Sequence, residues 1–588
     1  MTAPIPGSAL SAVRSLRRLI PYFGRYRAGL AWGVLTVLAT VGVSLAGPQV
    51  IRFAIDDLTA AVTGRKLVLY AAVILAIALV EGILRFLMRR ILIGISRDIE
   101  FDLRNDLFEK LLTLPRTFSD AHPTGDIMNR CSSDVNAVRM LLGPGVMYSI
   151  NTAAMFTLAL FLMIRINPLL TGLVLLPLPV ATFVVYFFSR KIHDYYRSVQ
   201  EYFSDVSVFL QETFSGIRLL RAYGSLDPRQ TRFGEMMEQY VVMNRRLIAT
   251  WGLFYPAMGL LGGLGGVGIL YFGGSLVIAG RISLGSFVAF SIYLAMLAWP
   301  MMSAGWVLNL IQRGAASMER LNLIFDAAGV APAAGPMTPS TGALDLEFRN
   351  LTFSYPGAAS PVLKAVTVAI PAGSMVGIVG KVGAGKSTLA AVLARVYDPP
   401  PGTVMVGGRD VSAIPPGELR RLVAVVPQDP FLFSESIADN IRMGGEDADP
   451  ESHAAMAGLG VDMESFPDRL ATLVGERGIT LSGGQKQRVT IARALARRAP
   501  IILFDDALSS VDVETEAAII RNIQSLPGRH TLIVISHRIS SIRDADLILA
   551  MMDGEIVEAG THTDLIGRNG LYASLFRKEE IEAELATL

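Results

Sequence analysis

The sequence has little charge and almost no cysteine. Asp, Glu, Lys and Arg make up 18% of its 588 residues and hydrophobic residues 52%, whereas charged residues are about 25% of ordinary soluble proteins. The single cysteine, Cys131, excludes an internal disulfide framework and a metal site built from cysteines. The net charge of +2 shows no excess of either sign that would favour nucleic acid as a partner. The shortage of charge indicates a membrane protein.

The first 25 residues do not have the pattern of a secretory signal. The stretch RSLRRLIPYFGRYR (14–27) is basic and amphipathic, and no cleavage-like site follows the first apolar run. Basic amphipathic helices of this kind lie at the surface of membranes. We therefore expect residues 1–25 to form a short helix at the cytoplasmic face of a membrane.

Hydrophobic residues are concentrated before residue 312. Each apolar stretch there supplies about 20 residues, which is enough to cross a hydrocarbon core of about 30 Å as a helix. A large soluble helical core would instead need shorter helices with polar faces. Residues 26–325 are therefore predicted to form an all-α transmembrane domain with six helices. The six stretches are 28–50, 67–88, 141–164, 168–188, 249–278 and 283–311.

Arginine and lysine set the expected orientation. The segments 89–139 and 190–246 are basic, whereas the connections between the other stretches are short. Because basic segments stay on the cytoplasmic side, both termini and these two segments are predicted to be cytoplasmic. Both segments have a helical pattern, so the transmembrane helices should continue well into the cytosol.

The composition and the hydrophobic periodicity of the chain change after residue 325. Residues 326–344 are small, rich in proline and glycine and poorly periodic, which predicts a linker. From residue 345 to 588, β-rich runs such as SMVGIVG, IILFD and TLIVIS alternate with helical stretches. This alternation predicts an α/β domain.

The segment GKVGAGKS, Gly380–Ser387, matches the phosphate-binding pattern G-x-x-x-x-G-K-[ST]. Its glycines let backbone N–H groups turn towards phosphate oxygens at the start of a helix. Lys386 is expected to reach the β- and γ-phosphates, and the Ser387 hydroxyl to bind Mg²⁺. Asp505 ends the apolar strand IILFD, where a carboxylate can hold Mg²⁺ through a water molecule. The expected ligands are therefore ATP and Mg²⁺.

Three further motifs accompany the phosphate loop. LSGGQ (481–485) precedes a helix, Gln428 lies in VVPQDPFLF, and His537 follows the strand TLIVIS. The glycines of LSGGQ at a helix start would form a second anion-binding turn. One nucleotide needs only one phosphate loop, so the second turn suggests contact with a nucleotide held by another subunit.

These ordered motifs resemble the ATP-binding cassette (ABC) family, and the apolar stretches extend the resemblance over nearly the whole chain. The chain looks like a half-transporter of the exporter type (type I exporter, type IV ABC fold). Such a protein has six transmembrane helices with long intracellular extensions, fused to one α/β P-loop nucleotide-binding domain. The resemblance implies an ATPase coupled to transport.

The same resemblance implies roles for individual residues. Tyr355 would stack on adenine, and Gln428 would contact Mg²⁺ and the attacking water. His537 would contact the γ-phosphate, and Asp512 would lie in a loop that crosses the dimer interface. Ser482 and Gly484 would bind the γ-phosphate of ATP on the opposing domain. The residues expected to bind the nucleotide are Tyr355, Gly380, Gly383, Gly385, Lys386, Ser387, Thr388, Gln428, Asp505, Ser482, Gly483, Gly484, Gln485, Asp512 and His537. The expected metal ligands are Ser387, Gln428 and Asp505, and the expected catalytic residues are Asp506, His537 and Gln428.

Two cytoplasmic segments resemble the coupling regions of the family. FSDAHPTGDIMNRCSSD (118–134) and ETFSGIRLLRAYG (212–224) resemble stretches whose short helices dock on the ATPase domains, and VGERG (474–478) resembles the segment that contacts them. Such rigid elements would carry domain closure to the transmembrane helices. Ordinary solvent-exposed loops are the alternative interpretation.

Asp506 departs from the family pattern, which has Glu after the Mg²⁺ aspartate. Asp is one methylene shorter, so its carboxylate falls about 1 Å short, and such a displacement can cost about 10²-fold in rate. Basicity differs little, since the reference pKa values are about 3.9 and 4.3. The sequence resembles the degenerate-site subunit of heterodimeric exporters, in which the partner carries the Glu. A homodimer with Asp506 as a slow base remains the alternative.

The cargo is expected to be a hydrophobic or amphipathic compound, drug-like or lipid-like, exported across the inner or plasma membrane. The sixth stretch holds Trp299, Met301 and Met302, which suit a permissive apolar site or simply helix packing. Glu81 and Arg85, one helical turn apart in the second stretch, are interpreted as a self-contained ion pair. Other functions considered are an importer built on the exporter fold and an ATP-binding regulatory module without transport.

Overall fold

The computed structural model describes residues 15–60, 63–176, 178–329, 342–526 and 530–587. The chain divides into two compact units, residues 1–109 with 127–326, and residues 110–126 with 327–588. Residues 1–14 and most of the predicted linker lie outside the described residues. The predicted domain boundaries therefore stay predictions.

The first unit is built from helices, several of them very long. Five-residue π-helical turns at Arg130–Asp134, Leu141–Gly145 and Ile269–Gly273 join consecutive helices. The helices are Ile20–Arg25, Arg27–Ala60, Gly64–Leu112, Thr124–Asn129, Val135–Met140, Val146–Ile166, Pro168–Leu175, Leu178–Ser215, Ile217–Ala222, Leu226–Gly268, Gly274–Ile278 and Leu284–Asp326.

Four continuous helical stretches among the described residues are long and apolar enough to cross a membrane. They contain the first, second, third and fifth predicted apolar stretches. The predicted stretch 168–188 includes residue 177, which lies outside the described residues. The stretch 283–311 lies within helix Leu284–Asp326 except for its first residue, and the apolar part of this helix among the described residues is Leu284–Leu297. The four stretches are Arg27–Thr59, Gly64–Leu112, Thr124–Ile166 and Leu226–Ile278.

The helices continue beyond the length that a membrane requires. Helix Gly64–Leu112 has 49 residues, which is about 74 Å at 1.5 Å per residue and more than twice the hydrocarbon thickness. Its apolar part presents Val68, Leu75 and Leu79 at the surface of the chain. Arg85 donates to Glu81 within the same helix, as predicted for this i,i+4 pair.

A buried cluster holds several helices of the first unit together. Phe290, Tyr293 and Leu297 pack with Val41 and Met163, all of them fully or almost fully buried. The Tyr293 hydroxyl donates to the backbone oxygen of Leu45 at 3.0 Å, which satisfies its polar group inside the cluster.

The second unit contains two β-sheets. The first sheet has the order β2-β1-β4-β5 and is antiparallel, and the second has the order β10-β9-β3-β8-β7-β6. In the second sheet all neighbours are parallel except β9 and β10. The strands are β1 Leu346–Phe353, β2 Leu363–Ile370, β3 Met375–Gly380, β4 Val404–Val406, β5 Arg409–Asp410, β6 Val423–Val426, β7 Ile501–Asp505, β8 Thr531–Ile535, β9 Leu547–Met552 and β10 Glu555–Gly560.

The central strands are apolar because both faces of the parallel sheet are covered. Ile502 and Phe504 of β7 face a cluster that includes residues of helix Gly483–Ala496. Ile501 and Leu503 face the opposite cluster, which includes β1 and helix Lys386–Leu393. Strands buried on both faces show continuous rather than alternating hydrophobicity, which explains the runs IILFD and TLIVI. The α/β prediction for this part of the chain is confirmed.

Short helices surround these sheets. Their bounds are Arg116–Ala121, Lys386–Leu393, Pro416–Leu422, Ile437–Arg442, Pro450–Met456, Gly460–Ser465, Gly483–Ala496, Val513–Gln524, His562–Arg568 and Leu571–Thr587.

Candidate nucleotide site

The predicted nucleotide residues gather at one edge of the parallel sheet. The phosphate loop follows β3, Asp505 ends β7, His537 lies two residues beyond β8, and Gln428 lies two residues beyond β6. Since β3, β8, β7 and β6 are parallel neighbours, their carboxyl ends lie at the same edge. Ligands of open α/β sheets bind at this edge.

Lys386 is buried within the phosphate loop. Its Nζ donates to the backbone oxygens of Gly380 at 2.8 Å and Lys381 at 3.0 Å. Burial lowers the pKa of the Lys386 ammonium, and the nearby carboxylates of Asp506 and Asp505 oppose that shift. The loop therefore holds the Lys386 ammonium at the start of helix Lys386–Leu393. The N-terminal end of a helix also favours an anion, so both groups attract negative charge to the same place.

Two glycines of this loop have left-handed backbones, with φ of 85° at Gly383 and 95° at Gly385. A Cβ at Gly385 would come within 2.9 Å of Leu363, whereas a Cβ at Gly383 would meet no atom within 4 Å. Glycine adopts this backbone conformation at low cost. The loop thus leaves open space at Gly383 and exposes backbone N–H groups, as a phosphate cradle requires.

Ser387 and Asp505 are brought together as predicted. The Ser387 hydroxyl donates to Asp505 Oδ1 at 2.8 Å, although 118 residues separate them in the chain. Burial raises the pKa of the Asp505 carboxyl, and the bond from Ser387 opposes the shift. A cation between them would remove this cost because it stabilises the ionised carboxylate.

Asp506 lies beside Gln428, whose Nε2 donates to Asp506 Oδ2 at 3.3 Å. The backbone of Asp506 is left-handed, with φ of 49°, and its N–H donates to the oxygen of Ile535 at 2.9 Å. Asp is among the few non-glycine residues that adopt this conformation readily. The carboxylate is therefore fixed at its backbone end and contacts the glutamine that was predicted to contact the attacking water.

Tyr355 is tied to the helix that follows the phosphate loop. Its hydroxyl and that of Thr388 lie 3.0 Å apart in a hydrogen bond. The Tyr355 ring packs edge-on against Tyr397, with 5.0 Å between centroids. Tyr397 in turn donates to Asp120 Oδ2 at 2.6 Å, and Arg116 pairs with Asp120 at 2.9 Å.

This chain of contacts connects helix Arg116–Ala121 to the tyrosine expected to stack on adenine. The hydrogen bond to Asp120 raises the pKa of the Tyr397 hydroxyl. Tyr397 belongs to none of the motifs recognised in the sequence. No local pattern around it indicates a partner 277 residues away.

The signature turn, Leu481–Gln485, begins helix Gly483–Ala496 with a capping box. Ser482 Oγ accepts from the Gln485 N–H at 3.3 Å, and Gln485 Oε1 accepts from the Ser482 N–H at 2.9 Å. Gln485 Nε2 donates to Asp462 at 3.0 Å. Ser482 and Gly483 are exposed, so their polar groups face outward from the unit.

Asp512 and His537 are both exposed. Asp512 caps helix Val513–Gln524 by accepting from the Thr515 N–H at 2.9 Å, and this bond lowers the pKa of its carboxyl. His537 is close enough to Asp505 to oppose the rise in the pKa of that carboxyl. Because Asp512 is exposed, its carboxylate lies at the surface of the unit.

The residues fit ATP and Mg²⁺. One hydroxyl and one carboxylate are few ligands for a cation alone, but Mg²⁺ in phosphate sites takes its other oxygens from the phosphates and water. The open space at Gly383 and the confined Lys386 ammonium suit those phosphates. Bound Mg²⁺ would supply charge neutralisation at the β- and γ-phosphates.

Comparison with known proteins agrees with this geometry. The family model "ABC transporter transmembrane region" matches residues 30–301, and the model "ABC transporter" matches residues 363–509. The probable multidrug resistance ABC transporter ATP-binding/permease protein YheI of Bacillus subtilis (strain 168) is 34% identical over 573 residues, covering 96% of this chain and 98% of that protein.

The chain belongs to the ABC transporter family. The multidrug resistance-like ATP-binding protein MdlA of Escherichia coli (strain K12) is 32% identical to it, over 97% of this chain and 98% of the relative. A solved structure described as a bacterial Atm1-family ABC exporter with ATP bound has a TM-score of 0.75 and 25% identity, covering 94% of this chain and 98% of that one. This ABC transporter thus combines an exporter-type transmembrane domain with an ABC nucleotide-binding domain, as predicted.

The same comparisons show that the protein is a membrane ATPase coupled to transport. The match "ABC transporter" includes the phosphate loop, the signature turn and Asp505. The roles of individual residues, the orientation in the membrane and the nature of the partner subunit stay predictions.

Proposed function

We propose that this ABC transporter is one half of a heterodimeric exporter that uses ATP to move hydrophobic or amphipathic compounds across the inner or plasma membrane. Its termini and nucleotide-binding domain are cytoplasmic. Its own ATP site turns over slowly, and its signature turn completes the faster site of a partner subunit.

The proposed difference between the two ATP sites rests on the short side chain of Asp506. Its backbone is fixed by the bond to Ile535, and its carboxylate is held by Gln428. A side chain one methylene shorter than Glu therefore has little freedom to move towards an attacking water. A displacement of about 1 Å can cost about 10²-fold in rate.

The residues that bind ATP have no comparable change. Lys386 lies in its loop, Ser387 contacts Asp505, and Tyr355 is held by Thr388. In the proposed site Lys386 binds the β- and γ-phosphates and Ser387 and Asp505 hold Mg²⁺. Gln428 orients water, and the site keeps ATP bound because its base is short.

The signature turn supports a role at a second subunit. Its capping box uses the Ser482 oxygen as an acceptor, which leaves the hydroxyl hydrogen free to bind a phosphate oxygen. The first N–H groups of helix Gly483–Ala496 lie at an exposed end, and such ends bind anions.

The names of the relatives support the proposed class of cargo. Both relatives described above carry multidrug resistance in their names. The exposed apolar surface of the transmembrane helices includes Trp299 and Trp306 of helix Leu284–Asp326. Aromatic surfaces accept varied hydrophobic compounds. The side chains of Met301 and Met302, considered for the same role, lie outside the described residues.

The test is an ATPase assay in lipid of this chain alone and then together with a neighbouring-gene subunit. The partner's residue after its Mg²⁺ aspartate is changed from Glu to Gln, and Asp506 is changed to Ala in parallel. We expect the partner variant to abolish most turnover and Asp506→Ala to leave most of it. If the partner variant leaves turnover intact while Asp506→Ala abolishes it, the asymmetric function is wrong. An active dimer of this chain alone would instead support the homodimer.

A further inference from the structure

Arg538 follows His537 directly, and its guanidinium contacts the loop that connects β7 to helix Val513–Gln524. This connecting loop is Asp506–Asp512. Arg538 donates through Nη2 to the backbone oxygen of Ser509 at 2.8 Å and through Nη1 to that of Val511 at 3.0 Å. One side chain thus binds two carbonyls of the loop that begins with Asp506 and ends with Asp512.

The chemistry of this contact requires arginine. The planar guanidinium presents a rigid fork of donors, whereas a lysine ammonium is a single point on a flexible chain. Nη1 also lies 3.5 Å from Glu516, which is 3% exposed at its side chain. The buried carboxylate and the two carbonyls together fix the position of the arginine over the loop.

The connecting loop is also packed against the signature turn. A Cβ at Gly484 would come within 2.9 Å of the backbone oxygen of Ser510. Arg538 binds the residues on either side of Ser510. The loop is therefore held between the segment that carries His537 and the first turn of helix Gly483–Ala496.

The backbone around Arg538 is itself fixed. The Arg538 N–H donates to Ser536 Oγ at 2.9 Å, and the Ile539 N–H donates to Glu579 Oε2 at 2.6 Å. The backbone beside Arg538 is therefore restrained, so a displacement of the end of β8 should displace Arg538 as well. The hydrogen bonds from Arg538 to the two carbonyls should then displace the connecting loop.

We infer that Arg538 is a positioning residue that makes His537 and the connecting loop move as one body, so that ATP bound at this chain's site sets the position of Asp512. This inference rests on the proposed function, in which His537 contacts the γ-phosphate and Asp512 lies at the subunit interface. The slow site thereby regulates hydrolysis at the partner's site, although Arg538 touches neither nucleotide.

The test compares Arg538→Lys with the matched control Arg521→Lys, an exposed arginine on helix Val513–Gln524, in the full two-subunit transporter in lipid. Lysine keeps the charge beside Glu516 but cannot bind both carbonyls. We expect kcat for ATP to fall about tenfold for Arg538→Lys with KM within about twofold of wild type, which separates positioning from nucleotide binding. The control should change neither.

Hydrogen–deuterium exchange gives a second readout that does not depend on turnover. Amides 507–511 should exchange about tenfold faster in Arg538→Lys, while β3 and β7 keep their protection. If those strands also lose protection, Arg538→Gln combined with Glu516→Gln removes both charges, and the same loop exchange and kcat effects are expected.

Unchanged loop exchange, or faster exchange with unchanged kcat, overturns the inference and reduces Arg538 to a structural contact. Failure of the proposed function would look different. The wild-type complex would then hydrolyse no ATP, or would lose nothing when the partner's Glu is changed, while the exchange measurement would still decide whether Arg538 fixes the connecting loop.

Discussion

The phosphate loop and the signature turn are both glycine-rich turns that begin a helix, but their side chains face different partners. In the phosphate loop, Lys386 donates to backbone oxygens of its own loop, and Ser387 donates to Asp505 at the end of β7, which β8 separates from β3. In the signature turn, Ser482 and Gln485 cap their own helix, and Ser482 and Gly483 are exposed. The first turn has partners on another strand of this chain, whereas Ser482 and Gln485 of the second turn bond mainly to each other.

In the proposed function, this difference lets a single chain supply the phosphate loop of its own ATP site and the signature turn of the partner's site. A phosphate loop works only with a carboxylate and a strand end beside it, so the fold must assemble those groups. A helix end needs only its own N–H groups to attract an anion. The predictions below test the two turns separately and then the connections between them.

The largest effect is expected for Lys386→Ala. Removing one member of a buried, charge-assisted contact costs about 2–5 kcal/mol, so the affinity of this chain's site for ATP should fall by about 30-fold or more. Titration with a fluorescent ATP analogue measures this affinity, and Lys364→Ala, a change at an exposed residue of β2, is the control. An affinity within twofold of wild type would contradict the assignment of the phosphate loop.

Ser482→Ala should lower turnover at the partner's site by about tenfold or more, because it removes a donor to the γ-phosphate. Loss of a helix cap alone costs about 1 kcal/mol of stability. Ser436→Ala is the matched control, since Ser436 caps helix Ile437–Arg442 in the same way. Equal turnover in the two variants would show that Ser482 is only a cap.

Asp506→Glu should raise turnover at this chain's site by about tenfold, because it restores the missing methylene. The gain is expected to stay below the full 10²-fold, since Glu tolerates the left-handed backbone less well than Asp. The assay uses the complex in which the partner's Glu is changed to Gln. Asp553→Glu, at another residue with positive φ, controls for backbone strain. If Asp506→Glu does not raise turnover, the length of the side chain at residue 506 does not limit the rate at this site.

The smallest effect concerns the contact between Tyr397 and Asp120. Tyr397→Phe removes a hydrogen bond worth about 1 kcal/mol, so amides of helix Arg116–Ala121 should exchange about fivefold faster. Asp120→Ala removes the acceptor of the same bond together with the ion pair to Arg116, so the double variant should be little worse than Asp120→Ala alone. Fully additive effects would show that the two residues act independently.

Much of this fold could be predicted because its signals are local. Apolar stretches long enough to cross a membrane and strands buried on both faces leave continuous runs in the sequence. The phosphate loop and the capping box at Ser482 are also contained in a few consecutive residues. The local sequence of each of these features is therefore enough to predict its backbone geometry.

Contacts between distant segments could not be predicted in the same way. Arg538 stands beside the recognised His537, yet its partners Ser509 and Val511 become visible only when β7 and β8 pair. Tyr397 has no motif at all. Segment 118–134 was expected to dock on an ATPase domain, but the sequence did not indicate that residues 110–126 would group with the nucleotide-binding unit while residues 127–134 group with the helical unit.

The sequence alone determined the membrane class, the family, the expected ATP ligands and the missing methylene at Asp506, because composition and short motifs encode them directly. Only the tertiary structure decided which groups form direct hydrogen bonds: the Ser387 hydroxyl with Asp505, Gln428 with Asp506, and Arg538 with the connecting loop. The physical reason is that hydrogen bonds act over about 3 Å, and only folding brings residues far apart in the chain to that distance.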